Sequence, residues 1–296
     1  MAQPTVNIYG GTGGRGGDGD TGGAGGTGGG PIVNISMSVT QTEEKLEKWL
    51  EYPPNMKRKQ HETEKLRSQG TGKWFFKHRN FIKWINNPGV LWVEGPSGAG
   101  KSVLSSTLIK GLFGMQAQSI ARTFAVAFFY FDFRTKDTQS VEIALRRIIL
   151  QLSAQAPDLH KTLDNHYNLL AGQKLPDYQD LVSLLLKLLQ QLGQTYVVLD
   201  ALDECDSNNV QQIVRLVAEL KAWAETPLHL CITSQPRDVF TKSFADVTRI
   251  ALQADIMNTD IKSFITTELK TNSSLEPWKP RAAQVTKQVT RKANGM

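Results

Sequence analysis

The sequence predicts an α/β fold of three layers, with a parallel sheet between two layers of helices. Three observations predict it. From residue 88 onward, short β-prone runs alternate with longer stretches of helical periodicity. The runs are apolar at nearly every position, as strands must be when both sheet faces are covered. The first run leads into Gly95-Pro-Ser-Gly-Ala-Gly-Lys-Ser102, a glycine-bearing loop that opens a helix.

Taken in order, the chain begins with a leader of unusual composition. Fourteen of its 25 glycines fall between residues 10 and 30, so the rest of the chain is ordinary in glycine. That stretch has no apolar residue larger than Ala24. It cannot bury enough surface to order itself, so residues 1–40 read as a glycine-rich disordered leader. Residues 5–9 and 32–39 alternate apolar and polar positions as strands do, which leaves a self-associating element as the alternative. Residues 41–87 read as a helical lead-in: Thr42 is the expected N-cap, Pro53-Pro54 a break, and residues 70–74 a turn. One further helix over residues 75–85 then ends at Pro88-Gly89.

Residues 88–252 hold the expected core. Strands are predicted at residues 90–93, 123–133, 196–199, 228–232 and 247–252. Between them, helical spacing runs through residues 103–109, 140–155, 178–192 and 210–224. Residues 253–296 read as the start of a helical region.

Composition narrows the function. A net charge of +6 and a pI near 9.2 raise a nucleic-acid reading. The excess sits in Lys57-Arg-Lys59 and residues 279–292 without interleaved aromatics, so solvated helical faces explain it and nucleic acid is not the expected partner. Two cysteines, Cys205 and Cys231, make no disulfide framework and read as reduced core thiols. His61, His78, His160, His166 and His229 lack metal-ligand spacing. No apolar stretch reaches the roughly 18 residues of a membrane span, and no signal-peptide layout opens the chain, so a cytoplasmic protein is expected.

The chemistry is carried by two motifs. Gly95, Pro96, Ser97, Gly98, Ala99, Gly100, Lys101 and Ser102, with Val103 next, form a loop of the pattern G-x-x-x-x-G-K-S. Its glycines let the backbone turn its N–H groups inward, and the following helix N-terminus completes an anion cup. Lys101 would meet the β- and γ-phosphates of a nucleotide, and the Ser102 hydroxyl would ligate Mg²⁺. The second motif is Tyr196-Val-Val-Leu-Asp-Ala-Leu-Asp-Glu204, an apolar strand ending in three carboxylates. Asp200, at the strand's carboxyl end, would hold Mg²⁺ directly or through water. Asp203 or Glu204 would orient or deprotonate an attacking water, Glu204 being the better candidate.

The run from Val197 through Cys205 resembles the second nucleotide motif of NACHT domains in fungal STAND-class NTPases. Residues 70–75, 95–102, 128–133, 230–234 and 292–296 agree, and the chain from about residue 42 is similar to the nephrocystin-type N-terminal NACHT module. The resemblance implies a P-loop NTPase core that binds ATP, with GTP left open, together with Mg²⁺. It also implies an arginine in a Thr-Ser-Arg-Pro run that approaches the γ-phosphate. Here the run reads Thr233-Ser-Gln-Pro-Arg237, so that duty falls to the uncharged Gln235 or to Arg237, which otherwise is a surface residue. Related proteins continue past Ala-Asn-Gly-Met296 into further helical, winged-helix and sensor regions, so the chain reads as truncated after the NTPase core.

The expected function is a nucleotide-controlled switch or oligomerisation module of a STAND- or NLR-like signalling protein of a fungal innate-immunity-like system. It would hydrolyse the β–γ phosphoanhydride slowly, through Lys101, Asp203, Glu204 and Arg237, and would associate with itself and with signalling proteins the sequence does not name. A non-hydrolysing scaffold with structurally bound nucleotide is the alternative. A nucleotide kinase fits less well, because the acidic cluster is present and an arginine-rich lid is not.

Overall fold

The five apolar runs become five strands of one parallel sheet. The structure, a computed structural model, describes residues 39–68, 70–118 and 124–293. The glycine-rich stretch and its flanking strand candidates lie outside the described residues, except Val39, which starts a helix. In chain order the elements are α1 (Val39–Trp49), α2 (Met56–Lys65), α3 (Lys73–Lys77), α4 (Arg79–Asn86), β1 (Gly89–Glu94), α5 (Lys101–Gln118) and β2 (Ala125–Tyr130). Then come α6 (Val141–Ser153), α7 (Lys161–Leu169), α8 (Tyr178–Leu192), β3 (Thr195–Asp200), α9 (Val210–Ala222) and β4 (Leu228–Ser234). The chain closes with α10 (Asp238–Ser243), β5 (Thr248–Ala251), α11 (Ala254–Thr271) and α12 (Ala282–Ala293).

The sheet order is β2-β3-β4-β1-β5, all parallel. Apart from Gly89 at the start of β1, every residue of β1 to β4 is buried on either side of the pleat. Both faces are therefore covered, which makes the three-layer α/β fold. β4 lies between β1 and β3, so the loop after β1 and the acidic turn after β3 emerge at the same sheet end with one strand between them.

β2 is an edge strand, yet all of it is buried. Two glutamines, Gln151 on α6 and Gln155 in the turn that follows it, explain how. Gln155 accepts from the Val126 N–H (3.0 Å) and donates to the Val126 carbonyl (2.8 Å). Gln151 does the same for Phe128, at 3.1 and 2.8 Å. Each side-chain amide stands in for a neighbouring strand's peptide, so the outward N–H and carbonyl groups of Val126 and Phe128 are paired.

Local capping settles the helix boundaries. Asp177 and Asp180 form a reciprocal capping box at the start of α8, the helix expected over residues 178–192. Thr42 is not an N-cap: the helix already runs from Val39, so Thr42 lies inside it. The single helix expected over residues 75–85 is two, because His78 takes an extended conformation (ψ 132°) and its Nδ1 caps α4 by accepting from Asn80 N–H at 3.2 Å. The Pro53-Pro54 break is real. It follows Glu51 and Tyr52, both at positive φ, and is clamped by Arg147, which reaches the Pro53 carbonyl, and by Arg146, which pairs with Glu51 at 2.8 Å. β2 is shorter than the β-prone run, because Phe131 to Phe133 leave the sheet to build a loop.

Both cysteines are buried and free. Cys231 lies in β4, and Cys205 ends the turn after β3. Burial pushes the Cys205 thiol up to about 11 and the Cys231 thiol further, so both stay protonated.

Candidate functional site

The loop after β1 is shaped by two left-handed glycines, Gly98 (φ 78°) and Gly100 (φ 80°). This conformation turns successive amides to one side, as an anion-binding nest requires. A side chain at Gly95 would put its Cβ 2.8 Å from the Leu252 Cβ, so the loop can only pass this way without one. α5 begins at Lys101, and its first turn leaves N–H groups free of intrahelical partners. The Lys101 ammonium folds back on the carbonyls of Gly95 (2.9 Å) and Pro96 (2.8 Å). Burial lowers its pKa, against the opposing pull of Asp203, Asp200 and Glu204.

Asp200, the last residue of β3, is fully buried. Its Oδ1 accepts from Ser105 Oγ and Thr233 Oγ1, each at 2.7 Å. Burial raises the carboxyl pKa, while hydrogen bonds from Ser102, Ser105 and Thr233 and the Lys101 charge pull it back. Ala201 follows at φ 59°, a strained position for a residue with a Cβ, and Thr233 Oγ1 accepts its N–H at 2.8 Å.

The other acidic residues take different places. Asp203 is buried and accepts from the Gln235 backbone N–H at 2.9 Å, with the half-exposed Arg237 guanidinium 4.0 Å away. Gln235 thus contributes its backbone to Asp203. Glu204 accepts from the Phe133 N–H at 3.3 Å. Burial raises its pKa, helped by the nearby charges of Asp203, Asp132 and Asp200 and opposed by that hydrogen bond.

Ser102, Val103, Asp200, Ala201 and Glu204 line one cavity of about 280 Å³. The sequence-predicted groups brought together here are therefore Ser102, Val103, Asp200 and Glu204. Lys101, Asp203 and Arg237 are not in its lining.

The remaining wall was not anticipated. Lys59, Thr63 and Leu66 come from α2 and the turn that ends it, and Phe131, Phe133 and Arg134 from the loop after β2. Asp132 ties these segments, bonding Lys59 Nζ at 2.7 Å and Arg134 through Nε and Nη2 at 2.8 and 2.7 Å. The Arg134 guanidinium first, and Lys59 with it, hold its carboxyl well below the usual carboxylate range. This corrects the reading of Lys57-Arg-Lys59 as a solvated face: Arg58 is solvated, but Lys59 is drawn into the cavity wall. The sequence carried one signal for this wall, since Asp132 and Arg134 follow the carboxyl end of a strand, where α/β sheets bind ligands.

Among the described residues, no cluster of three or more His, Cys, Asp or Glu could hold a metal ion. That arrangement still fits Mg²⁺, which takes one or two protein oxygens and fills its shell with phosphate and water. Ser102 and Asp200 supply hard oxygen donors against each other, and a buried carboxylate is a group that a cation would compensate. Among the described residues, no helix is long and apolar enough to cross a membrane.

The family model described as "Nephrocystin 3, N-terminal" matches residues 70–235, more than half of the chain. The chain belongs to this family. The match begins at the turn before α3 and ends at Gln235, so it takes in the loop, the acidic turn and the end of β4, but not α2. Solved structures similar to this nephrocystin 3 N-terminal chain include Cdc6p from Pyrobaculum aerophilum, 16% identical over 72% of this chain and 51% of that one, with a TM-score of 0.37. Another is a Walker-type ATPase of Pyrococcus abyssi, 13% identical over 68% of this chain and 61% of that one, with a TM-score of 0.38. The chain thus spans between half and two thirds of the length of either structure. No curated protein matches it significantly.

Proposed function

We propose that this chain binds a nucleoside triphosphate with Mg²⁺ and hydrolyses it slowly, as the nucleotide-controlled module of a STAND-type signalling protein. The observation that carries the reading is the meeting of Ser102, Asp200 and Glu204 in one cavity beside the glycine-shaped loop. In this reading the loop amides and Lys101 receive the β- and γ-phosphates. Ser102 and Asp200 would hold Mg²⁺, which when bound neutralises phosphate charge. Glu204 acts on the attacking water. The water oxygen bonds to the γ-phosphorus as the bond to the β–γ bridging oxygen breaks. The electron pair leaves on the diphosphate, and the water proton passes to Glu204.

The proposed division of the chain is a leader at 1–40, a lead-in at 41–87, the core at 88–252 and a helical region at 253–296. Adenine is favoured over guanine through the family resemblance, which also supports self-association and a cytoplasmic location.

A second reading, a scaffold with structurally held nucleotide, draws on Gln235 and Arg237. Neither lines the cavity, and the Gln235 backbone N–H donates to Asp203.

One set of measurements tests both readings: identify any nucleotide that co-purifies, then measure binding and turnover of ATP and GTP with Mg²⁺ for the parent and for Lys101→Ala. Loss of binding in the variant is expected, and unchanged affinity would overturn the site. Multiple turnovers by the parent exclude the scaffold reading.

A further inference from the structure

Asp132, just beyond β2, is 8% exposed, yet it accepts three hydrogen bonds from Arg134 and one from Lys59. Its own loop is braced around it. Thr138 Oγ1 donates to the Asp132 carbonyl at 3.0 Å, and the Thr135 N–H donates to the same carbonyl at 3.1 Å. Lys59 is fixed from the other side, because its helix is tied down by Gln60. That side chain donates to the Ser106 carbonyl on α5 at 2.8 Å and accepts from the Tyr130 hydroxyl on β2.

Two cations are thus held in the lining of the cavity that Ser102, Asp200 and Glu204 also line. Among the described residues, Lys59 and Arg134 are the cationic ones lining it. Arg237 lies outside this lining, beside Asp203. Arg134 is two-thirds exposed at its side chain, so it has room to turn, and its planar fork suits a phosphate as well as a carboxylate. Charge that builds on a transferring phosphoryl group is lowered in energy by an arginine aimed at it.

We propose that Arg134, aimed by Asp132 and accompanied by Lys59, is the arginine that contacts the terminal phosphate of the bound triphosphate. This rests on the reading that the loop of residues 95–102 holds that nucleotide. Arg134 is then a catalytic residue, and Asp132 and Lys59 are positioning residues that exchange part of their ion pairing for the phosphate. ADP, which lacks that phosphate, leaves the pairing with Asp132 in place.

The test uses the full chain with Mg²⁺ and measures affinity for ADP and for a non-hydrolysable ATP analogue, with turnover alongside. Arg134→Ala and the longer Arg134→Gln should keep ADP affinity within about twofold and weaken the analogue by about tenfold or more. Any turnover of the parent should fall by roughly a hundredfold or more in both. Asp132→Asn should lower the preference for the analogue over ADP without lowering ADP affinity, whereas a merely structural loss would weaken both ligands together. An analogue-to-ADP preference in both Arg134 variants equal to the parent's would overturn the proposal. Lys101→Ala separates the two failures: if it binds ADP as the parent does, the nucleotide site itself is misplaced.

Discussion

Thr233 Oγ1 donates to Asp200 Oδ1 at 2.7 Å and accepts the Ala201 N–H at 2.8 Å. One hydroxyl at the end of β4 therefore fixes both the carboxylate that ends β3 and the strained residue after it. Without that acceptor the Ala201 amide would be buried and unpaired at a left-handed position. Replacing Thr233 by Val keeps the shape and removes both bonds. It should destabilise the protein by about 1–3 kcal/mol, and Thr233→Ser should recover most of that. Urea unfolding of the two variants measures this. Equal midpoints for Val and Ser would show that the hydroxyl is dispensable.

The glutamine pairing of β2 makes a second prediction. Gln155→Leu retains bulk but leaves the Val126 N–H and carbonyl without partners. A loss of about 1–3 kcal/mol is expected. Amide exchange should accelerate at Val126 more than at Phe128, whose partner Gln151 remains. Uniform acceleration across the sheet would mean that the edge is held some other way.

Glu204 makes a prediction about pH. Burial lifts its pKa above the ordinary glutamate value of 4.5, and a base must be ionised to accept a proton. The acid limb of any kcat/KM profile should therefore fall at a pH above 4.5 rather than at or below it. Glu204→Gln should reduce turnover by about 10²–10⁴-fold while nucleotide affinity holds. Full activity in that variant removes Glu204 from the chemistry.

Asp132 should show the opposite sign in stability. Its carboxyl pKa in the folded protein lies below the ordinary 3.8 because Arg134 and Lys59 bond its ionised form. Its contribution is therefore complete above pH 3.8 and is lost as the pH falls toward the folded value. The difference in urea midpoint between the parent and Asp132→Asn should be widest near neutral pH and narrow below about pH 4. A difference that does not change with pH would mean that the carboxylate charge adds nothing.

Much of the core was legible because its signals are short-range. The strand runs are apolar at consecutive positions, and helix α8 begins with its own capping box. The helix break at His78 was missed because it depends on one ψ angle and one side-chain cap, within a run whose apolar spacing continues unbroken. The charge run at Lys57-Arg-Lys59 was misread in part, since nothing local distinguishes Lys59 from Arg58. Its partner Asp132 is 73 residues away.

By itself the sequence determined the phosphate-loop pattern, the carboxylates at the end of β3 and the parallel three-layer fold. These rest on backbone conformations and burial patterns that eight or nine consecutive residues can specify. Only the tertiary structure decided which groups share the cavity. α2 packs against α5 and β2, which brings Lys59 to Asp132 and into the cavity that Arg134 and Glu204 also line. The physical reason is that an ion pair or a glutamine-capped edge is defined by the distance between segments, which chain packing sets and local periodicity does not encode.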